Sequence, residues 1–178
     1  MAENTIATKL DKLFDATDTN ADGYVEWADY QRVVDRLLSG FKVDKGSLEG
    51  QALIVTYQMF WAEVRRHANG QERLSKDAFV AAVNSVMVDT SRFNLIEGVP
   101  HAIFDVIDTD DDGGISHSEW QQLATVLGIS APEVKERFVA LDRDGDGSIS
   151  RQELLRSWRE FFYGEDSYTT GGLILGVL

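Results

Sequence analysis

The sequence predicts an all-helical protein: four helix–loop–helix units in two pairs, packed into a compact globule with short antiparallel bridges between paired loops. Three observations predict it. Apolar residues recur at spacings of three and four along eight segments. Short Asp- and Gly-rich breaks separate those segments, and the breaks repeat one 12-residue frame. The 178 residues suffice for one compact domain or two small ones with real cores.

The helices follow in order. Residues 5–16 carry Ile6, Leu10, Leu13 and Phe14 on one face, and 27–38 continue with Tyr30, Val33, Val34, Leu37 and Leu38. A long apolar helix over 48–66 holds Leu53, Ile54, Tyr57, Phe60, Trp61 and Val64. Residues 76–88 present Phe79, Val80, Val83 and Val86. Pro100 suits the first turn of a fifth helix carrying Ile103, Phe104 and Ile107. The sixth, over 118–127, is ended by Gly128. Ser130 caps the seventh in a capping box with Glu133, with Pro132 just inside it, and 152–163 is the eighth. The segment 89–99 lacks clear periodicity and contains Gly98, so it reads as a hinge between an N-terminal pair, 1–90, and a C-terminal pair with an apolar tail, 91–178. Trp27, Trp61, Trp120 and Trp158 sit on helical faces as expected core residues.

The loops carry the chemistry. Loop four places Asp142, Asp144 and Asp146 at alternate positions, so three carboxylates turn inward as the backbone curls. Gly147, sixth, supplies the positive φ of a sharp turn. Ser148, seventh, offers its backbone carbonyl; Ser150, ninth, suits a bridging water; Glu153, twelfth, offers both carboxylate oxygens. Such an oxygen-only cage suits a hard, large cation, Ca²⁺ above all, at roughly 2.3–2.6 Å. No Cys or His stands at a ligand position, which excludes softer metals there. Loop three matches throughout, with Asp108, Asp110, Asp112, Gly114, Ser116 and Glu119; His117 falls beside these positions and reads as a solvated residue opening the exit helix. Loop one has Asp18, Asn20, Asp22, Tyr24, Glu26 and Asp29. Its twelfth residue is Asp, one methylene short of Glu, which lowers the coordination number toward six and makes this the site for Mg²⁺ as well as Ca²⁺. Loop two runs from His67 to Ala78 with Glu72 sixth and Arg73 seventh, so no oxygen cage forms there. The eighth residues are apolar in every frame, which predicts Val25 opposite Leu74 and Ile115 opposite Ile149. The degenerate loop then braces its neighbour.

Composition narrows the partners. The balance of 17 basic against 30 acidic residues, net −13, excludes nucleic acid and anionic membrane surfaces as partners. The absence of cysteine excludes disulfides and thiolate sites, and no run is long and apolar enough to span a bilayer. The N-terminus lacks the apolar core of a secretory signal. A cytoplasmic monomer binding three Ca²⁺ ions is expected. No arrangement of nucleophile and base points to an enzyme.

Three features together resemble the calerythrin and sarcoplasmic calcium-binding protein group of EF-hand proteins: intact loops one, three and four; a degenerate loop two; and loop starts at 18, 67, 108 and 142, whose long first gap leaves room for an extended third helix. The likeness covers about residues 5–165. It implies two halves packed together and a role in calcium buffering or transport. A sensor that exposes an apolar surface to a partner protein is the alternative, but such surfaces favour methionine, and this chain has only three against nine Phe, five Tyr and four Trp. EF-hand photoproteins share the loop pattern but end in proline, whereas this chain ends in Leu178. The apolar tail GGLILGVL matches no motif of the group.

Overall fold

The structure, a computed structural model, describes residues 2–89, 93–129 and 131–164. Among these residues each loop sits between two helices and contributes one three-residue strand. The first unit is α1 (Ala2–Thr17), β1 (Tyr24–Glu26) and α2 (Trp27–Phe41); the second is α3 (Leu48–His67), β2 (Arg73–Ser75) and α4 (Lys76–Val88). The third is α5 (Phe93–Ile107), β3 (Gly114–Ser116) and α6 (His117–Leu127); the fourth is α7 (Ala131–Leu141), β4 (Ser148–Ser150) and α8 (Arg151–Tyr163). This is the expected all-helical architecture.

Antiparallel pairs β1–β2 and β3–β4 join the loops, with Val25 facing Leu74 and Ile115 facing Ile149. All four of those side chains are fully buried, so each bridge is also the roof of a core. The buried apolar side chains form one cluster drawing on all eight helices, with Trp120, Trp158, Phe79, Phe104 and Phe138 among its largest members. Burying one such side chain contributes about 1.5–3 kcal/mol. Trp61, Trp120 and Trp158 are buried as expected, while Trp27 packs partly buried against the cluster. Burial also pushes the phenol groups of Tyr30 and Tyr57 up, so both stay neutral.

One expectation needs correction. The fifth helix does not begin at Pro100. It begins at Phe93, and Pro100 lies inside it, so most of the segment expected as a hinge is helical. Proline removes one amide donor and crowds the preceding turn, a cost of about 3 kcal/mol in an isolated helix. Here α5 packs along α3 and buries Val99, Ala102, Ile103, Phe104, Val106 and Ile107, which outweighs that cost. Of the expected hinge, 90–92 lie outside the described residues, as do Ser130 and the tail from 165 onward.

The two halves touch at further places. Helices α2 and α6 approach so closely at Gly40 that a Cβ there would lie 2.2 Å from Val126 Cγ2. Beside that contact Gln122 Nε2 donates to the Gly40 carbonyl at 2.7 Å. At the other end, Lys9 Nζ donates to the carbonyls of Glu160 and Gly164.

Because Leu74 belongs to the roof over loop one, Leu74→Ala should cost about 2–5 kcal/mol in chemical denaturation. It should also weaken cation binding at loop one, followed by Trp27 fluorescence, although loop two itself supplies no cage.

Candidate metal centres

Each loop is a tight coil whose backbone turns on residues with positive φ. In loops one, three and four these are the fourth position (Ala21, Asp111, Gly145) and the sixth (Gly23, Gly113, Gly147). Loop two differs: its positive φ values fall at its third and fourth positions, Asn69 and Gly70, with none at the sixth, and its first residue, His67, is still part of α3. Glu72 stands where the other loops have glycine, and a side chain there disfavours the turn that curls the coil inward.

The first-position carboxylates are held by backbone amides. Asp18 accepts from the N–H groups of Asp22 and Gly23, and Asp142 from those of Gly145, Asp146 and Gly147. Asp108 accepts from Gly113 N–H through Oδ2, at 3.1 Å. Its Oδ1 is buried and has no hydrogen-bond partner. Burial, and then the negative charges of Asp112, Glu119 and Asp110, push the Asp108 carboxyl above its usual range. A buried carboxylate oxygen with no donor, surrounded by like charge, is the arrangement a bound cation relieves. The third- and fifth-position residues Asn20, Asp22, Asp110, Asp112, Asp144 and Asp146 each accept an amide N–H from two residues further on.

The twelfth-position carboxylate organises all three loops in the same way. One oxygen accepts from the second-position amide: Thr19 to Asp29, Thr109 to Glu119, Arg143 to Glu153. The other accepts from the ninth-position amide: Glu26, Ser116 or Ser150. The ninth residue is the N-cap of the exit helix and the twelfth its third residue, so the cage is closed by a capping box. Burial pushes the Glu119 and Glu153 carboxyls up, but hydrogen bonds, from Thr109 and Ser116 to the former and from Ser150 and Arg143 to the latter, outweigh it and hold both below the usual range. They are therefore ionised and poised for a cation. In loop two Ala78 takes this place, and Ser75 caps α4 without a side-chain hydrogen bond.

Donor oxygens of Asp108, Asp110 and Glu119 lie within 4.8 Å of one another, and so do those of Asp142, Asp144 and Glu153. These two sets are oxygen donors of the kind a hard divalent cation takes. Loop one makes no such grouping from carboxylates alone, having Asn20 in third place. Its acids also meet arginine. Arg32 Nη2 donates to the fully buried Asp29 at 2.5 Å, and Arg73 Nη2, reaching across from loop two, donates to Asp22 at 3.0 Å. Arg73 also lies over the Tyr24 ring, 3.9 Å from its centre. The sequence marked Arg73 as a charge that spoils its own loop; the structure shows it acting on the neighbouring one. His117 is exposed and its ring stacks on Phe138 at 3.6 Å.

A third group was not read from the sequence. Glu63, His67 and Asp89 bring donor atoms within 4.8 Å of one another, where α3 runs into loop two and away from loops one, three and four. Glu63 and His67 stand four apart on α3, a readable spacing, but Asp89 arrives only through the fold.

Loops bridged in antiparallel pairs, each between two helices and three of the four closed by a capping box, have the architecture of EF-hands. Family models agree, with an EF-hand domain pair matching residues 101–159 and an EF hand matching 10–34. Within that class the chain resembles the calerythrin and sarcoplasmic calcium-binding protein group. It is 27% identical to calerythrin of Saccharopolyspora erythraea over 161 residues, 88% of this chain and 91% of that one. The fold superposes on a Streptomyces coelicolor calcium-binding protein described in terms of prokaryotic calcium-mediated regulation, with a TM-score of 0.74, 26% identity, and 93% and 99% of the two chains covered. It also superposes on an amphioxus sarcoplasmic calcium-binding protein with a TM-score of 0.70, 16% identity and 97% of each chain covered.

Two substitutions separate the features of loop one. Arg73→Gln should raise its cation affinity about two- to fivefold, the scale of an exposed ion pair, and flatten its salt dependence. Asp29→Glu should raise the ratio of Ca²⁺ to Mg²⁺ affinity at that loop in calorimetry; an unchanged ratio removes the chain-length explanation of its selectivity.

Proposed function

We propose that this chain is a calcium-binding protein with three working EF-hands, acting as a monomeric calcium buffer or transport protein in the cytoplasm. The observation that carries the reading is the donor set of loops three and four, above all the buried, unpartnered Oδ1 of Asp108. Oxygen donors without nitrogen or sulfur select a hard ion, and a twelfth-position glutamate able to give two oxygens selects the larger Ca²⁺ over Mg²⁺. Loops three and four are the calcium-selective sites through Asp108, Asp110, Asp112, Gly114, Ser116 and Glu119, and through Asp142, Asp144, Asp146, Ser148, Ser150 and Glu153. Loop one takes Ca²⁺ or Mg²⁺ through Asp18, Asn20, Asp22, Tyr24, Glu26 and Asp29, its affinity tempered by Arg32 and Arg73.

The aromatic interior supports a buffer. Several of the chain's large rings pack edge to face, as Phe14 does on Phe79 and Tyr30 on Phe60, and a close-packed aromatic core favours one well-fitted arrangement. A sensor regulating a protein partner is the second reading. It is favoured by Leu48, Val55 and Met59, which α3 exposes, and by the calcium-mediated regulation attributed to the Streptomyces relative. Light emission from a stored chromophore finds less support: the void lined by Tyr30, Tyr57, Val99, Trp158 and their neighbours is about 20 Å³, room for one water.

Calorimetric titration with Ca²⁺, with and without millimolar Mg²⁺, tests the site count. Three sites are expected, one of them weakened by Mg²⁺; two or fewer would overturn it. Chelation should lower the unfolding temperature markedly, since three bound Ca²⁺ offset six negative charges, and each site filled at about 100 Kd adds about 2.7 kcal/mol. A dye reporting exposed apolar surface should respond little to calcium in a buffer and strongly in a sensor.

A further inference from the structure

Helices α1 and α4 pack side by side along a seam that the calcium chemistry does not use. At the loop end of this seam an ammonium group is already held on a carboxylate. Lys76 Nζ, from the first residue of α4, stands 3.0 Å from Asp15 Oδ1 of α1 and 5.6 Å from the centre of the Phe14 ring. The charged head thus sits between an acid and an apolar floor.

One turn back along α1 the same combination recurs without its lysine. Leu10 and Asp11 stand four residues before Phe14 and Asp15, so they share a face with them. On α4 the residue four after Lys76 is Val80, which brings no cation. A cavity of about 320 Å³ opens at this point. Buried Leu10 and the partly buried Ile6 and Val80 form its apolar lining, and the exposed Asp11, Asp77 and Asn84 supply its polar groups. Among the described residues no lysine or arginine reaches Asp11 or Asp77.

We propose that this hollow binds a free aliphatic polyamine, a methylene chain carrying ammonium groups, in the place where the seam lacks a second lysine. Three observations support that class. The volume lies at the lower end of small-ligand sites, and a mostly apolar lining with a few polar groups is their usual composition. The two carboxylates come from opposite walls, Asp11 from α1 and Asp77 from α4, so they match two ammonium groups on one chain. The methylenes between those groups cover Ile6, Leu10 and Val80 as a lysine stem would, whereas a bare metal ion leaves that surface wet. The net charge of −13 draws polycations toward the chain. Lys76 on Asp15 and Phe14 is the chain's own example of the contact.

The test uses the full chain with its loops saturated with calcium, titrated by calorimetry with spermidine, with cadaverine and with the diol of cadaverine's chain length. One spermidine per chain is expected, with methyl NMR shifts centred on Leu10 and Val80, and no uptake of the diol. Asp11→Asn and Asp77→Asn should each weaken binding about two- to fivefold, the scale of an exposed ion pair, and the double variant about tenfold. Ala81→Leu, at an exposed position lining the hollow, should weaken it at least about fivefold by filling space without altering charge. Absence of spermidine uptake would overturn the proposal. So would uptake that both the double variant and Ala81→Leu leave unchanged, since the amine would then sit on scattered surface acids. Tighter binding of a blocked lysine peptide than of spermidine would also overturn it, by assigning the hollow to a partner protein's lysine. Asp11, Asp77 and Ala81 are all exposed, so these variants keep the core intact.

Discussion

In loops one, three and four a single carboxylate, at the twelfth position, ties the entry of the loop to the first turn of the following helix. It receives the amide of the second residue on one oxygen and the amide of the ninth on the other. The same group therefore caps a helix, closes a coil and presents negative charge to its centre. Loop two shows the dependence by exception. Ala78 offers no oxygen, Ser75 makes no side-chain cap, and the positive-φ residues shift toward the incoming helix. Without the carboxylate the coil has no reason to curl around a point.

Gathering carboxylates is unfavourable until something positive arrives, and the loops meet that repulsion differently. In loop three it remains, visible in the raised Asp108 carboxyl and its unpartnered oxygen. Loop one recruits arginine instead: Arg32 holds the buried Asp29, and Arg73 reaches over from the degenerate loop to Asp22. The hand without a cage thus serves its neighbour twice, with Leu74 as roof and Arg73 as counter-charge. Near the same hand, Arg66 fills the space between Glu63, His67 and Asp89. In both places a guanidinium stands where acids converge.

Loop geometry matters only if the helices hold it, and their support is shared between halves. The close packing of α3 on α5 and of α2 on α6 makes one continuous core from eight helices. A side chain at Gly40 would part α2 from α6, and the hydrogen bond from Gln122 to the Gly40 carbonyl marks how near those backbones lie. Such a core transmits strain between hands, because close-packed interiors deform little.

Much of this was legible in the sequence because it is local. A 12-residue loop states its acidic positions by spacing, amphipathic helices state their faces in the same way, and an apolar eighth residue states the bridge, so Val25–Leu74 and Ile115–Ile149 could be read directly. The start of α5 could not: Gly98 and Pro100 argue for a break, and only burial against α3 makes helix the better solution. Nor could the charge pairing of loop one or the grouping of Glu63, His67 and Asp89. Those depend on where a side chain from a distant position arrives. The sequence by itself determined the hands and which residue stands at each loop position, since both are encoded within a dozen residues. Tertiary structure alone decided which acids are met by arginine, which stay unpartnered, and how the two halves share a core, because these follow from contacts between segments that sequence spacing does not relate.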